Sequence, residues 1–125
     1  MFSHVMLGAN DLEKSKAFYD AILNVLGHQP GVPDEKGRYF YFSDGGVFGL
    51  TTPINGEVAT HGNGMTIGFA ASSPELIDAW HAAGLAAGGE TCEEPPGVRE
   101  SGERKLYLAY LRDPSGNKIC AAHFM

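Results

Sequence analysis

His4-Val5-Met6-Leu7-Gly8-Ala9-Asn10-Asp11-Leu12-Glu13 passes from strand-like alternation into a helix start, and a second run beginning near Thr66 repeats the pattern. In the first run Phe2, His4 and Met6 fall on one side of an extended chain, with Val5 and Leu7 on the other. That period of two marks a half-buried strand. Asn10 is placed to cap a helix, and Glu13 stands at the capping-box distance from it. Leu12, Phe18, Tyr19, Ile22, Leu23 and Leu26 then recur at helical spacing, and Gly27 is a suitable stop.

In the second run, Met65 to Ala70 reads as a strand. Ser72-Ser73-Pro74-Glu75 reads as a helix start with proline in the first turn. Leu76, Ile77, Trp80 and Ala83 give the buried stripe, and Gly88-Gly89 closes the helix. His4 to Phe18 spans 14 positions, as does Thr66 to Trp80; His4 to Gly27 spans 23, as does Thr66 to Gly89. One shift of 62 positions, half of a 125-residue chain, superimposes strand, core aromatic and stop.

Strand signals follow each helix. Arg38 to Phe42 is aromatic and β-prone, Asp44-Gly45-Gly46 is a hairpin turn, and Val47 to Thr51 returns. In the second half Leu106 to Leu111 and Lys118 to Ala122 flank the turn Asp113-Pro114-Ser115-Gly116. Gln29 to Pro33 and Glu90 to Cys92 are candidates for one further short strand in each half. Each half therefore reads β-α-β-β-β, which makes the fold class α+β. The expectation is one domain over residues 1–125: module one about 1–52, a Gly/Pro-rich linker about 53–64, and module two about 65–125. The two modules would form a cup-shaped mixed sheet with the helices on its outer face. Two modules, or two copies of the chain, can shelter the sheet face that one module leaves bare.

Bulk composition narrows the function. Hydrophobic residues at 43% suffice for a core, and a net charge of −6 disfavours binding to phosphate backbones, so nucleic acid is not an expected partner. No stretch approaches the roughly 20 apolar residues that cross a bilayer, so no membrane partner is expected either. The N-terminus shows no basic flank followed by an apolar core. Cys92 and Cys120 form no staple pattern. Free thiols in an intracellular, cytoplasmic protein are the expectation. No phosphate-binding glycine loop, dinucleotide fingerprint, CxxC pair or Gly-x-Ser-x-Gly elbow is present.

His4-Val5-Met6-Leu7 with Asp11-Leu12-Glu13-Lys14-Ser15, Gly62-Asn63-Gly64 before the fifth strand, and Arg112-Asp113-Pro114-Ser115-Gly116-Asn117-Lys118-Ile119 before the last strand together resemble the vicinal-oxygen-chelate superfamily. This is the glyoxalase/bleomycin-resistance/dioxygenase group, and the likeness covers essentially the whole chain. It implies small-molecule binding in the cup, with either a lyase- or isomerase-type reaction or non-catalytic, drug-sequestering capture by a homodimer. In metal-dependent relatives four strands place His or Glu ligands on the cup floor, where the ion holds two substrate oxygens. Carried over position by position, the four ligand places fall on His4, Gly49, Thr66 and Cys120. Glycine has no ligand and threonine is a poor one, so no metal site is assigned; weak divalent binding through His4 is the most that remains.

The resemblance also sets roles to look for. His4 is a candidate base or pocket histidine, Tyr110 a candidate acid or hydrogen-bonding group, and Cys120 either a cup thiol or a small buried filler. Gly49 and Thr66 would line the substrate. Tyr39 and Tyr41 share one side of their strand and Phe40 and Phe42 the other; the tyrosine pair is taken as the cup lining. Arg99, in the charged Pro/Gly-rich stretch from Glu93 to Lys105, would be the anion clamp of a mobile flap. Trp80 reads as core, and the acidic net charge would suit a cationic ligand.

Overall fold

The computed structural model describes all 125 residues. The order is β1 (His4–Gly8), α1 (Leu12–Val25), β2 (Val32–Pro33), β3 (Tyr39–Ser43), β4 (Gly46–Thr51), β5 (Ile67–Ala70), α2 (Pro74–Ala86), β6 (Glu90–Ser101), β7 (Arg104–Arg112) and β8 (Lys118–Phe124). These strands make two four-stranded mixed sheets, β1-β4-β3-β2 and β5-β8-β7-β6. In each, the first strand of the module runs parallel to the last, and the other pairings are antiparallel. The fold is α+β, in two β-α-β-β-β modules joined by residues 52–66.

The repeat survives in three dimensions. Met6 pairs with Gly49 in the first sheet, and Gly68, 62 positions after Met6, pairs with Cys120 in the second. Both helices end alike, although the glycine matching Gly27 is Gly88, 61 positions on, and not Gly89 as the 62-position shift predicts. Gly27 and Gly88 take φ of +94° and +99°, and the next residues, His28 and Gly89, donate their N–H groups back to Leu23 and Gly84. A left-handed residue past the C-cap is what glycine provides at least cost. The N-caps differ from expectation by one residue in α1. Asp11, not Asn10, accepts from the Lys14 N–H. Asn10 bridges instead to the linker: its side chain donates to the Ala59 carbonyl at 3.1 Å and accepts from the Ala59 N–H at 2.7 Å. Glu13 closes no capping box; it accepts from the Tyr39 hydroxyl at 2.5 Å. In α2, Ser73 caps and Pro74 opens the first turn.

The stretch 93–105 is not a flap. It lies within a long hairpin of β6 and β7, interrupted by a bulge between Cys92 and Gly97 in which Glu93 takes φ of +57°. Two adjacent prolines, Pro95 and Pro96, read as loop in the sequence; the bulge accommodates them because it needs no ladder N–H.

One core serves both modules. Phe18, Tyr19, Ile22 and Leu23 of α1 and Ile77 and Trp80 of α2 are buried together with Leu7, Tyr41, Phe48 and Leu50 from the first sheet and Ala109, Leu111, Ile119 and Ala121 from the second. The two sheets come close at Phe48 and Phe69, whose rings lie 5.2 Å apart edge to face. The helices pack against each other, so both sheets turn their helix-facing sides to a common interior and leave their other faces bare. Within one chain the sheets are not hydrogen-bonded into a single cup.

The Asp113 turn locks the modules together. Asp113, 5% exposed, accepts from the Tyr19 hydroxyl at 2.7 Å and from the Asn117 side chain at 2.9 Å. It also accepts from the backbone N–H groups of Ser115 and Asn117. The Asn117 amide donates in turn to the Gly8 carbonyl at 2.9 Å, and the Asn10 N–H donates to Ser115 Oγ. Burial, reinforced by the charge of Asp113, holds the Tyr19 hydroxyl protonated well past its ordinary range. A buried carboxylate with this many donors is stable only while all of them stay in place.

Candidate functional site

Strand alternation fixes what each bare face carries. In the first sheet His4 pairs with Val47 and Phe40 with Gly49, so His4, Met6, Phe40, Phe42, Val47 and Gly49 share the open side. In the second, Gly68, Cys120, Tyr110, Cys92 and Lys118 share it.

His4 lies at the start of β1, exposed, with Nδ1 2.8 Å from Ser3 Oγ. Beside it is a hollow of about 500 Å³ lined by Ser3, His4, Met6, Arg38, Phe40 and Val47. Arg38 lies over the Phe40 ring at 5.3 Å, and its Nε and Nη2 hold Asp34 at 2.7 and 2.5 Å. The sequence reading missed Arg38, Phe40, Met6 and Ser3. The signal was present: Arg38, Phe40 and Phe42 alternate with the tyrosines and so belong to the opposite side.

The tyrosines are therefore a correction. Tyr39 and Tyr41 do not line a binding face; they lie under α1, with the Tyr39 hydroxyl on Glu13 and the Tyr41 hydroxyl donating to Asp20 at 2.7 Å. Burial, helped by the hydrogen bond to Asp20, drives the Tyr41 hydroxyl far above its usual range, so it remains a donor. The cause of the placement is the acidic side of α1, where Glu13 and Asp20 offer acceptors that two hydroxyls can meet and two phenyl rings cannot.

The four places that the resemblance assigns to metal ligands do not fit a metal. At Gly49 a Cβ would fall 2.5 Å from Met6 Sδ and 3.1 Å from the Phe40 ring, so the thioether occupies the space of a fourth-strand ligand. Thr66 lies just before β5, exposed and outside the ladder. Cys120 is paired with Gly68, whose Cβ would come within 3.2 Å of Sγ. Burial pushes the Cys120 thiol up to about 11, which keeps it neutral near pH 7, whereas a metal takes the thiolate. No three His, Cys, Asp or Glu side chains of the chain gather in a geometry that could hold an ion.

Tyr110 stands between Cys92 and Cys120 on the open side, with Lys118 Nζ 5.0 Å from its ring centre. Burial raises its hydroxyl pKa. Lys118 is paired with Glu93, and that hydrogen bond raises its pKa too. Arg99 shares this side but does not reach out; its Nη2 donates to the Glu94 and Pro95 carbonyls, each at 3.0 Å, and so pins the bulge. The structure thus brings His4 together with Arg38, and Tyr110 together with Cys120. It places Tyr39 and Tyr41 on the other side of their sheet and leaves Thr66 out.

The sequence matches the model of the Glyoxalase/Bleomycin resistance protein/Dioxygenase superfamily over residues 1–121. The chain belongs to that superfamily. Among solved structures it is similar to the glyoxalase/bleomycin resistance protein of Albidiferax ferrireducens T118, at 69% identity and a TM-score of 0.95 over 98% of each chain. It shares its fold with a glyoxalase-related enzyme from Fulvimarina pelagi, at 21% identity and a TM-score of 0.73, covering 98% of this chain and 86% of that one. It shares it also with a lactoylglutathione lyase from Agrobacterium tumefaciens, at 21% identity and a TM-score of 0.66, covering 98% and 92%. No curated protein sequence is significantly similar to the chain. No helix of this superfamily member is long and apolar enough to cross a membrane.

Proposed function

We propose that this superfamily member binds a small molecule on its open sheet faces, as a homodimer in which a second copy roofs each face, without a four-ligand metal centre. The observation that carries this reading is the Met6 thioether lying across Gly49. An apolar side chain fills a position where metal chemistry would need a donor. Large apolar side chains on and around the bare faces support the dimer: Phe42 is 63% and Phe124 70% exposed. Closed two-fold pairing is the commonest way to cover such surfaces.

A thermal-shift screen of chelator-treated protein tests the reading, because a ligand that binds only the folded state raises apparent stability. Stabilisation of the metal-free protein by organic molecules is expected, with light scattering giving twice the chain mass. Stabilisation that appears only after zinc, nickel or cobalt is added, or a monomeric mass, would overturn it.

A second reading is enzymatic. The Ser3–His4 hydrogen bond favours it, since a hydroxyl at Nδ1 orients an imidazole for proton transfer at Nε2. A relative of the same fold is a lactoylglutathione lyase. In the tautomer whose Nδ1–H donates to Ser3 Oγ, His4 would be the base of a lyase- or isomerase-type step at Nε2, and Tyr110 a hydrogen-bond donor to substrate. Turnover of any substrate found should vanish in His4→Ala; unchanged turnover removes His4 from the chemistry.

A further inference from the structure

We propose that the hollow beside His4 takes a small organic anion, a carboxylate attached to an apolar or aromatic body. The proposal rests on the reading of the open faces as ligand sites, and it names the chemistry one of them selects.

The lining carries the argument. Of its six residues none is acidic, in a chain with 15 Asp and Glu against nine Lys and Arg. Two nitrogen centres border it. Arg38 has Nε and Nη2 committed to Asp34, and no hydrogen bond engages Nη1. His4 has Nδ1 beside Ser3 Oγ, which leaves Nε2 to face a ligand. When the Ser3 hydroxyl donates to Nδ1, the proton of the neutral ring resides on Nε2 and can be donated to a carboxylate oxygen. The ion pair with Asp34 fixes the guanidinium, so little side-chain entropy is lost on capture. Phe40, Met6 and Val47 complete the lining as its apolar part. The Phe40 ring already carries the guanidinium at 5.3 Å and has the Phe42 ring 6.2 Å away. A volume of about 500 Å³ suits a molecule the size of a substituted benzoate.

Charge on the second sheet points the same way. Arg99, Arg112 and Lys118 share its open side by register. The acidic residue in register there is Glu90, and Glu93, in the bulge, has its carboxylate held by Lys118. The open faces are thus richer in cations than the chain as a whole. A net charge of −6 would suggest a cationic ligand, but the charges are distributed the other way.

The test is titration followed by amide NMR shifts, with benzoate, the neutral benzyl alcohol and the cationic benzylamine as probes. Benzoate should move the signals of His4, Met6, Phe40 and Val47 and bind about tenfold more tightly than either analogue, the usual gain from a charge-assisted pair. Arg38→Gln should abolish that advantage, while Arg38→Lys, which keeps the charge and the clasp on Asp34, should retain part of it. Thermal melts of both variants show whether the 34–38 turn still folds. Equal binding of benzyl alcohol or benzylamine, or undiminished benzoate binding by folded Arg38→Gln, would overturn the anion assignment and leave the open-face reading standing. If none of the three probes moves any signal on this face, the open-face reading falls as well.

Discussion

On the helix side of the two sheets, large side chains are buried and their polar atoms are mostly bonded within the chain. Trp80, Phe18 and Tyr19 are fully buried, and the hydroxyls of Tyr19, Tyr39, Tyr41 and Tyr107 all reach carboxylates. On the open side, His4 and Phe42 are exposed, the Tyr110 hydroxyl has no partner in the chain, and Arg38 keeps one nitrogen uncommitted. Both sides belong to the same strands, one residue apart. The helix side satisfies most of its own polar groups, whereas the open side leaves aromatic and polar groups without partners in the chain.

Substitutions on the two sides should therefore separate cleanly. Trp80→Ala removes the largest fully buried side chain and should cost about 3–5 kcal/mol in urea unfolding. Asp113→Ala leaves the Tyr19 hydroxyl and the Asn117 amide without their acceptor; a loss of about 3 kcal/mol is expected by the same measurement, with no change in the chemistry of the open faces. A loss below about 1 kcal/mol would show that the turn is not the lock between modules.

His81 gives a pH test of the helix side. Burial lowers its pKa, against the opposing pull of Asp78, while its Nε2 lies 3.2 Å from Thr91 Oγ. A folded-state pKa below the unfolded value near 6.5 means that the stabilising contribution is fully present above that pH. It is lost as pH falls from there through the folded pKa. Urea midpoints should drop on acidification through this window, and His81→Gln should flatten that part of the profile. At the far end of the scale, Tyr110→Phe should change unfolding free energy by no more than about 0.5 kcal/mol, since its hydroxyl bonds nothing in the chain. A large loss there would break the division between the two sides.

Much of the fold was legible because one pattern was written into the chain at two places. The 62-position shift carries Met6 to Gly68 and Phe18 to Trp80, the first strand and helix of each module, whereas the last strands, paired at Gly49 and Cys120, are 71 positions apart. Alternation also sorted residues 38–42 into two sets. It could not say which set faced the helix, because tyrosines and phenylalanines both suit a strand; Glu13 and Asp20 on α1 decided it, and they act across 20 or more positions. The α1 cap moved one residue because neighbouring Asn10 and Asp11 can each cap, and the linker at Ala59 claims Asn10. The long β6 was hidden by Pro95 and Pro96. At the candidate site, the glycine at 49 could be read directly, but Met6 as the side chain filling its space could not.

The proposed binding without a metal centre rests on Met6 filling the space at Gly49. Metal content after loading tests it most directly. Purified protein is incubated with excess zinc, nickel or cobalt, dialysed, and its bound metal counted per chain. Retention well below one ion per chain, equal in wild type and His4→Ala, is expected. Stoichiometric retention that His4→Ala abolishes would contradict it.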